Sequence, residues 1–355
     1  LNVTRVEADK KPKGAPIIHL SGATLLGAQF KTREWLLEPL LKEQSTAMLY
    51  ADAGVGKTWF TWTLVVAIAG GGEIFGWKAA KPRRVWVIDG EMHYVDLKER
   101  LEAVLQNFPP EVQARAVKNI KVSPRQVQHW STEFYDLDDL EYQQGLLKEL
   151  NDSQESDEAS IDLVVLDNFS CLVNVEDENS SSAFNGICEF INRAKTMTSV
   201  LLVHHSGKNP GKVGSGGKSY RGSSKLGGIM ELCVALKAAS PADLPEDHRG
   251  AAFVMELEKI RALPDVSTEP RVFTLDSKTS KWNEPTESEA VTKNKYLEAL
   301  RTGKYKNATE IAEALGVNKS SVSRALNNAI GDARLTNEQR DAYFADHGVE
   351  DDDDF

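Results

Sequence analysis

Tyr50-Ala51-Asp52-Ala53-Gly54-Val55-Gly56-Lys57-Thr58 carries an apolar β-type run into a turn with two glycines and then into a helical stretch. The pattern is (A/G)-x-x-x-x-G-K-(S/T), with Ala51 where glycine is usual. Glycines let such a backbone curl until its N–H groups face inward on a phosphate, and the N-terminus of the following helix adds its dipole. Ala51, Asp52, Ala53, Gly54, Val55 and Gly56 are therefore read as a phosphate cradle, with Lys57 for the β- and γ-phosphates and the Thr58 hydroxyl for Mg²⁺. The expected ligands are ATP and Mg²⁺. A chance Gly-Lys-Thr at a helix start is the alternative, and the strand before and helix after argue against it.

Outward from this loop the chain alternates. Short β-type runs at 46–51, 84–89, 120–122, 161–167 and 199–204 are separated by helical candidates at 57–69, 95–108, 140–151 and 183–197. Strands alternating with helices predict an α/β fold, a mostly parallel sheet with helices on both faces. The later runs at 233–237, 252–257 and 271–276 leave little room for crossover helices, so the sheet is expected to end antiparallel. We place a flexible arm at 1–20, the ATPase-like core at 21–285, a helical domain at 286–332 and an acidic tail at 333–355. Acidic 151–160 reads as a surface insertion and 277–287 as a linker.

Composition narrows the function classes. Across 355 residues, 42 Lys+Arg oppose 53 Asp+Glu, a formal net charge of -11, which disfavours a protein that coats nucleic acid by overall charge and leaves room for a local basic site. Cys171, Cys188 and Cys233 show no C-x-x-C or Cys/His spacing, which argues against a disulfide framework and a zinc site and for a reducing, cytoplasmic setting. The longest apolar stretch, 59–70, falls short of the roughly 20 residues a bilayer span needs, and no signal-peptide pattern stands at the start of the chain, so no membrane association is expected.

A phosphate cradle needs a metal-organising carboxylate on a neighbouring strand. Asp167, closing the buried-type run Ile161-Asp162-Leu163-Val164-Val165-Leu166-Asp167, supplies it, although strand-end aspartates also cap turns. Hydrolysis further needs a group that orients or deprotonates water, and Glu91, after Val85-Trp86-Val87-Ile88-Asp89-Gly90, is a candidate at the same sheet edge. On sequence alone Glu91 is equally a solvated loop residue.

The strand ending in Asp89-Gly90-Glu91, the Asp167 strand, Val203-His204-His205-Ser206-Gly207-Lys208 and the later Arg221-Gly222-Ser223-Ser224 together resemble the RecA-like ATPase core, most of all its plasmid RepA-type and DnaB-type hexameric helicase branch. The resemblance spans about residues 35–282. It implies that Glu91 is the catalytic glutamate and that a polar residue at the end of the fourth core strand senses the γ-phosphate. Successive strand residues face opposite sides, so only one of His204 and His205 points at nucleotide; His204 is the expectation. It also implies a basic residue completing the site across a subunit interface, for which Arg221, or Lys259 with Arg261 in Glu258-Lys259-Ile260-Arg261, match family motifs. A residue acting in trans requires a homo-oligomer, expected as a hexameric ring.

By the same resemblance the loop from Lys208 to Arg221, basic at Lys208, Lys212, Lys218 and Arg221 and free of acids, would track single-stranded DNA, with Tyr220 stacking on a base. The other loop of the family, here Val173-Asn174-Val175-Glu176-Asp177-Glu178-Asn179, departs from it by being acidic. Residues 307–330 fit a helix-turn-helix, with Ile311, Ala312, Val322 and Leu326 inward and Lys319, Ser321 and Arg324 outward for duplex DNA; a helix at 291–301 would complete an all-α, winged domain. The terminal Glu350-Asp351-Asp352-Asp353-Asp354-Phe355 resembles the C-terminal peptide of bacterial single-stranded-DNA-binding proteins, which docks on replication and repair partners; self-inhibition and plain solvation are the alternatives. The expected function is an ATP-hydrolysing, DNA-dependent motor in replication or recombination of a phage, plasmid or mobile element. The alternative is a nucleotide-switched DNA-binding regulator or initiator, or a recombination mediator that does not unwind.

Overall fold

Runs of valine, leucine and isoleucine buried on both faces build the centre of a nine-stranded sheet. Its strands are β1 (Thr46–Ala51), β2 (Val85–Asp89), β3 (Ile120–Pro124), β4 (Leu163–Asp167), β5 (Ser199–His205), β6 (Leu232–Ala238), β7 (Ala252–Ile260), β8 (Arg271–Thr274) and β9 (Thr286–Glu287). They lie in the order β9-β8-β7-β6-β1-β5-β4-β2-β3. The first six are parallel and β7 pairs antiparallel with β6. This computed structural model describes residues 18–154, 160–173, 184–205, 224–240, 243–244, 248–261, 269–287, 289–331 and 334–345. The parallel, two-sided, RecA-like sheet and its antiparallel end are as expected.

Two separate cores follow from strand alternation. Leu49, Ala51, Val85, Val87, Leu163, Val165, Leu201 and Val203 face one layer with α1 (Lys57–Gly70), α2 (Tyr94–Leu105) and α3 (Pro110–Asn119). Met48, Tyr50, Trp86, Ile88, Val164, Leu166 and Leu202 face the other, with α4 (Leu140–Ser153) and α5 (Asn185–Ala194). Helix α1 is buried almost all round, because α3 covers the side that the sheet leaves open. The two helices meet so closely that a Cβ on Gly70 would lie 2.5 Å from Val112 Cγ1. The sequence reading placed no helix at α3, where Pro110 occupies the first turn and its missing N–H costs nothing.

At the N-terminal edge of the strands Arg83, 6% exposed, is held by Glu34 at 2.7 Å, Glu43 at 2.7 Å and Asp162 at 3.1 Å. Asp162 also accepts from the Arg84 N–H at 2.8 Å. This buried cluster ties the chain before β1 to the starts of β2 and β4, opposite the edge that carries the phosphate loop.

The described residues divide into two units, the first from 1–238, 247–268 and 273–285, the second from 239–246, 269–272 and 286–355. Within the second, α6 (Glu289–Arg301), α7 (Ala308–Ala314), α8 (Lys319–Gly331) and α9 (Asn337–Ala345) bury Leu297, Leu300, Ile311, Ala312, Val322, Leu326 and Ala329 together. Asn307 caps α7 by accepting from Thr309 and Glu310, and Gly316, at φ 65°, makes the turn into α8. After α8 comes another helix in place of a β-hairpin wing. Leu335 is buried, and Tyr343 and Phe344 pack on the same core, so the helical unit runs past residue 332, where the sequence reading ended it. Residues 346–355 of the acidic tail lie outside the described residues.

Candidate nucleotide site

Strand register sets the site. Ala51 pairs with His205, and Asp89 with Asp167; because Leu166 pairs with Leu202, the aspartate pair stands level with Val203, two residues below the Ala51–His205 pair at the same C-terminal edge. Parity then sorts them. Ala51, Asp89, Asp167 and His205 share the phase of the residues that face α1, the helix springing from the phosphate loop.

The loop between β1 and α1 needs both glycines. Gly54 has φ 79° and Gly56 φ 121°, values that disfavour a side chain, and a Cβ on Gly56 would also lie 3.0 Å from Ala251 Cβ. Lys57 Nζ donates to Ala51 O at 3.0 Å and Asp52 O at 3.1 Å and lies 3.2 Å from His205 Nδ1. Val55 instead packs on the core. Ala53, Gly54, Gly56, Lys57, Thr58, Asp89, Glu91, Asp167 and His205 line a pocket of about 440 Å³.

The carboxylates are strongly perturbed. Asp167 is pushed up to about 7, first by burial and then by the neighbouring charges of Asp89 and Glu91, against the opposing pull of Lys57. Asp89 is pushed up to about 6, also chiefly by burial, although its Oδ1 accepts from the Met92 and Glu91 N–H groups at 2.7 and 3.1 Å. Burial likewise lowers Lys57 from the usual ammonium range. One oxygen of each aspartate, Asp89 Oδ2 and Asp167 Oδ2, is buried without a hydrogen-bond partner. Two orphaned carboxylate oxygens beside a threonine hydroxyl fit a hard divalent cation. Among the described residues no three His, Cys, Asp or Glu side chains cluster as a metal cage.

His204, the expected sensor, faces the other way. Its Nδ1 lies 3.2 Å from Ser170 Oγ, its ring packs edge-on against Phe169, and it is 2% exposed in the opposite core. The parity rule was right and the choice of parity wrong, because only the packing of α1 tells which face of β5 the nucleotide side is. Lys259 and Arg261 lie at the opposite edge of their own chain's sheet. As β7 runs antiparallel, Lys259 pairs with Cys233 and Cys233 with Met48, so its end lies at the edge away from the phosphate loop. There Lys259 donates to Gly227 O and Gly228 O and Arg261 to Gly228 O, and neither lines the pocket of its own chain. Arg221, Lys212, Lys218 and Tyr220 lie outside the described residues. Lys319, Ser321 and Arg324 are exposed on α8.

Asp89, Asp96 and Arg100 line the pocket and were missed, as was Asn168, which reaches Glu91 and His205 from beside it. Asp89 had a signal, being two residues before Glu91 in the phase of Val85 and Val87. Asn168 donates to Glu91. Arg100 stacks its guanidinium 4.9 Å from the Trp59 ring centroid, a contact between α1 and α2 that nothing in a helical Arg announces.

A family model described as an AAA domain matches residues 18–211. No curated protein matches. Among solved structures, that of the RadB recombinase is similar at 14% identity over 67% of this chain and 90% of that one, with a TM-score of 0.42. The flagellar accessory protein FlaH from Methanocaldococcus jannaschii is similar at 10% identity over 67% and 88%, also at 0.42. With more than half its length under that family model, the chain belongs to the AAA domain family, built here on a RecA-like P-loop fold.

Proposed function

We propose that this chain is an oligomeric motor that hydrolyses ATP and acts on DNA, a RepA-type helicase or translocase serving replication or recombination of a mobile element. The observation that carries the reading is the one pocket that Lys57, Thr58, Asp89, Asp167 and His205 line together at the C-terminal edge of the strands, with Glu91 at its open side. Lys57 neutralises phosphate charge, and the loop N–H groups cradle it. Glu91, its side chain 57% exposed, has access to water and acts as the base that orients it. Thr58 and Asp167, with Asp89 behind, would hold Mg²⁺, which when bound screens the phosphates. His205 touches Lys57 and is the residue placed to register the γ-phosphate. Arg221, or Lys259 with Arg261, would complete the site from a neighbouring copy. The basic segment 208–221 supports single-stranded DNA as the track.

The test is steady-state ATP hydrolysis without DNA, with single-stranded DNA and with duplex DNA, using Glu91→Gln as control. Stimulation by single strands of about tenfold or more, lost in Glu91→Gln, is expected. The exposed Lys319, Ser321 and Arg324 on α8 favour a second reading, a nucleotide-gated regulator that binds duplex sites. Turnover indifferent to single strands together with tight sequence-specific duplex binding would select it.

A further inference from the structure

Asn168 is 2% exposed, and its side chain has partners on every side. Its Oδ1 accepts from the Cys171 N–H at 3.0 Å and closes the short helical turn Phe169–Cys171 that follows β4. That bond fixes which end of the amide faces the pocket. The nitrogen has two hydrogens and meets two acceptors, Glu91 Oε2 and His205 Nε2, the latter at 3.0 Å. Reversing the amide would set its oxygen against the Glu91 carboxylate and its NH₂ against the Cys171 N–H, two repulsive contacts in exchange for three favourable ones. Among the described residues this is the only hydrogen bond to the Glu91 carboxylate, whose side chain is otherwise more than half exposed.

The same assignment makes His205 Nε2 an acceptor, so a neutral ring carries its proton on Nδ1, facing Lys57 Nζ at 3.2 Å. Hydrogens then stand on both sides of the Lys57 contact, whereas the Asn168 contact is well paired. A phosphate that takes Lys57 breaks the poorer of the two and leaves the ring on Asn168.

We propose that Asn168 is a positioning residue: one buried amide holds the Glu91 carboxylate and the His205 ring as a unit, so that the group acting on water and the group touching the phosphate lysine keep a fixed relation. The inference rests on Glu91 being the base of the proposed hydrolysis. It is tested with the full chain, comparing Asn168→Ala, Asn168→Asp, Glu91→Gln and the double variant Asn168→Ala with Glu91→Gln. Turnover, binding of a fluorescent ATP analogue and thermal melting are measured for each. Asn168→Ala should lower kcat about 10- to 100-fold with nucleotide affinity changed less than about threefold, and in the Glu91→Gln background it should cost nothing further in single-turnover rate. Asn168→Asp keeps the acceptor for Cys171 but sets a carboxylate against Glu91, so it should be at least as impaired.

Wild-type kcat in Asn168→Ala, or the same fold loss with and without Glu91, overturns the proposal. So does a loss of binding and turnover that simply tracks a lowered melting temperature, which marks a structural role. If Glu91→Gln itself turns over normally, the catalytic reading beneath it falls instead and takes this inference with it.

Discussion

His205 on β5 lies with Nδ1 3.2 Å from Lys57 Nζ, joining the last residue of a central strand to the phosphate loop next door. The contact exists because Ala51 and His205 are register partners, so the strand that launches the loop and the strand that carries the histidine end level. Its neighbour His204, one residue earlier, is sealed under Phe169 on the other side of the sheet. Two adjacent histidines thus have unrelated surroundings, one polar and at the pocket, one in a core.

The pair predicts opposite phenotypes. His205→Ala should leave folding stability within about 1 kcal/mol and reduce ATP turnover about tenfold or more, as expected of a pocket residue. His204→Ala removes a buried ring beside Phe169 and should destabilise by about 2–4 kcal/mol while the folded fraction keeps its kcat. Melting curves together with turnover per folded molecule decide; the reverse pattern would return the sensor role to His204.

Asp167 gives a pH prediction. Its folded carboxyl is raised to about 7 from an ordinary 3.8, so between those values the folded state binds a proton that the unfolded chain has released. The contribution of Asp167 to stability without metal or nucleotide is therefore fully present below about pH 4 and falls as pH rises toward 7. Asp167→Asn removes the burial cost of the charge. Its stability should match wild type near pH 4 and exceed it increasingly up to about pH 7, by about 2–4 kcal/mol at the plateau, while Mg²⁺-dependent activity is lost. Melting across pH 4–8 checks this; a constant difference would show that charge is not the cause.

How much of this was legible in the sequence depends on whether a feature is local. The strands at 46–51 and 199–205 and helix α1 follow from apolar runs and glycine punctuation, and Lys57, Thr58 and Asp167 from motif spacing. The choice between His204 and His205 was not local, because it needs the face that α1 covers. The edge that Lys259 and Arg261 reach was not local either, since only the antiparallel pairing of β7 with β6 reveals it. Asn168 was invisible because its role lies in contacts to residues 77 and 37 positions away.

Gly56 should tolerate nothing larger. With φ 121° and a Cβ position 3.0 Å from Ala251 Cβ and 3.3 Å from the Phe253 ring, Gly56→Ala meets both backbone strain and a clash. A cost of about 1–3 kcal/mol is expected, with weakened nucleotide binding because the N–H groups of the loop move. Gly54→Ala meets no atom within 4 Å and should pay only for its φ of 79°, so the milder variant isolates strain from clash. Denaturant melts and nucleotide titration of both variants measure the difference.

Arg83 should be more important to stability than any exposed ion pair. It is 6% exposed and bonded to Glu34, Glu43 and Asp162; Glu34 also pairs with Lys81, so Arg83→Met leaves Glu43 and Asp162 without their cation around an apolar side chain. Breaking such a partly exposed cluster costs about 1–3 kcal/mol, partly recovered at acid pH as the carboxylates protonate. Lys98→Met, which removes an exposed pair to Glu102 at 3.7 Å, should cost less than about 0.5 kcal/mol.

The exposed face of α8 separates the two functional readings. Lys319 and Arg324 stand five residues apart on a helix whose Val322, Ala325, Leu326 and Ala329 are committed to the core, so their substitution spares the packing. If α8 docks on duplex DNA, Lys319→Ala should weaken binding to all sequences alike and lower the dependence on salt by about one ion, since each phosphate contact releases one. Arg324→Ala should do the same if it touches phosphate. If it touches a base edge, it should instead cost about 1–3 kcal/mol on the preferred sequence and little on others. Affinities measured at several salt concentrations, on specific and random duplexes, tell these apart. Unchanged slopes and affinities in both variants would leave the helical unit without a role in duplex binding, and the motor reading would then rest on the core alone.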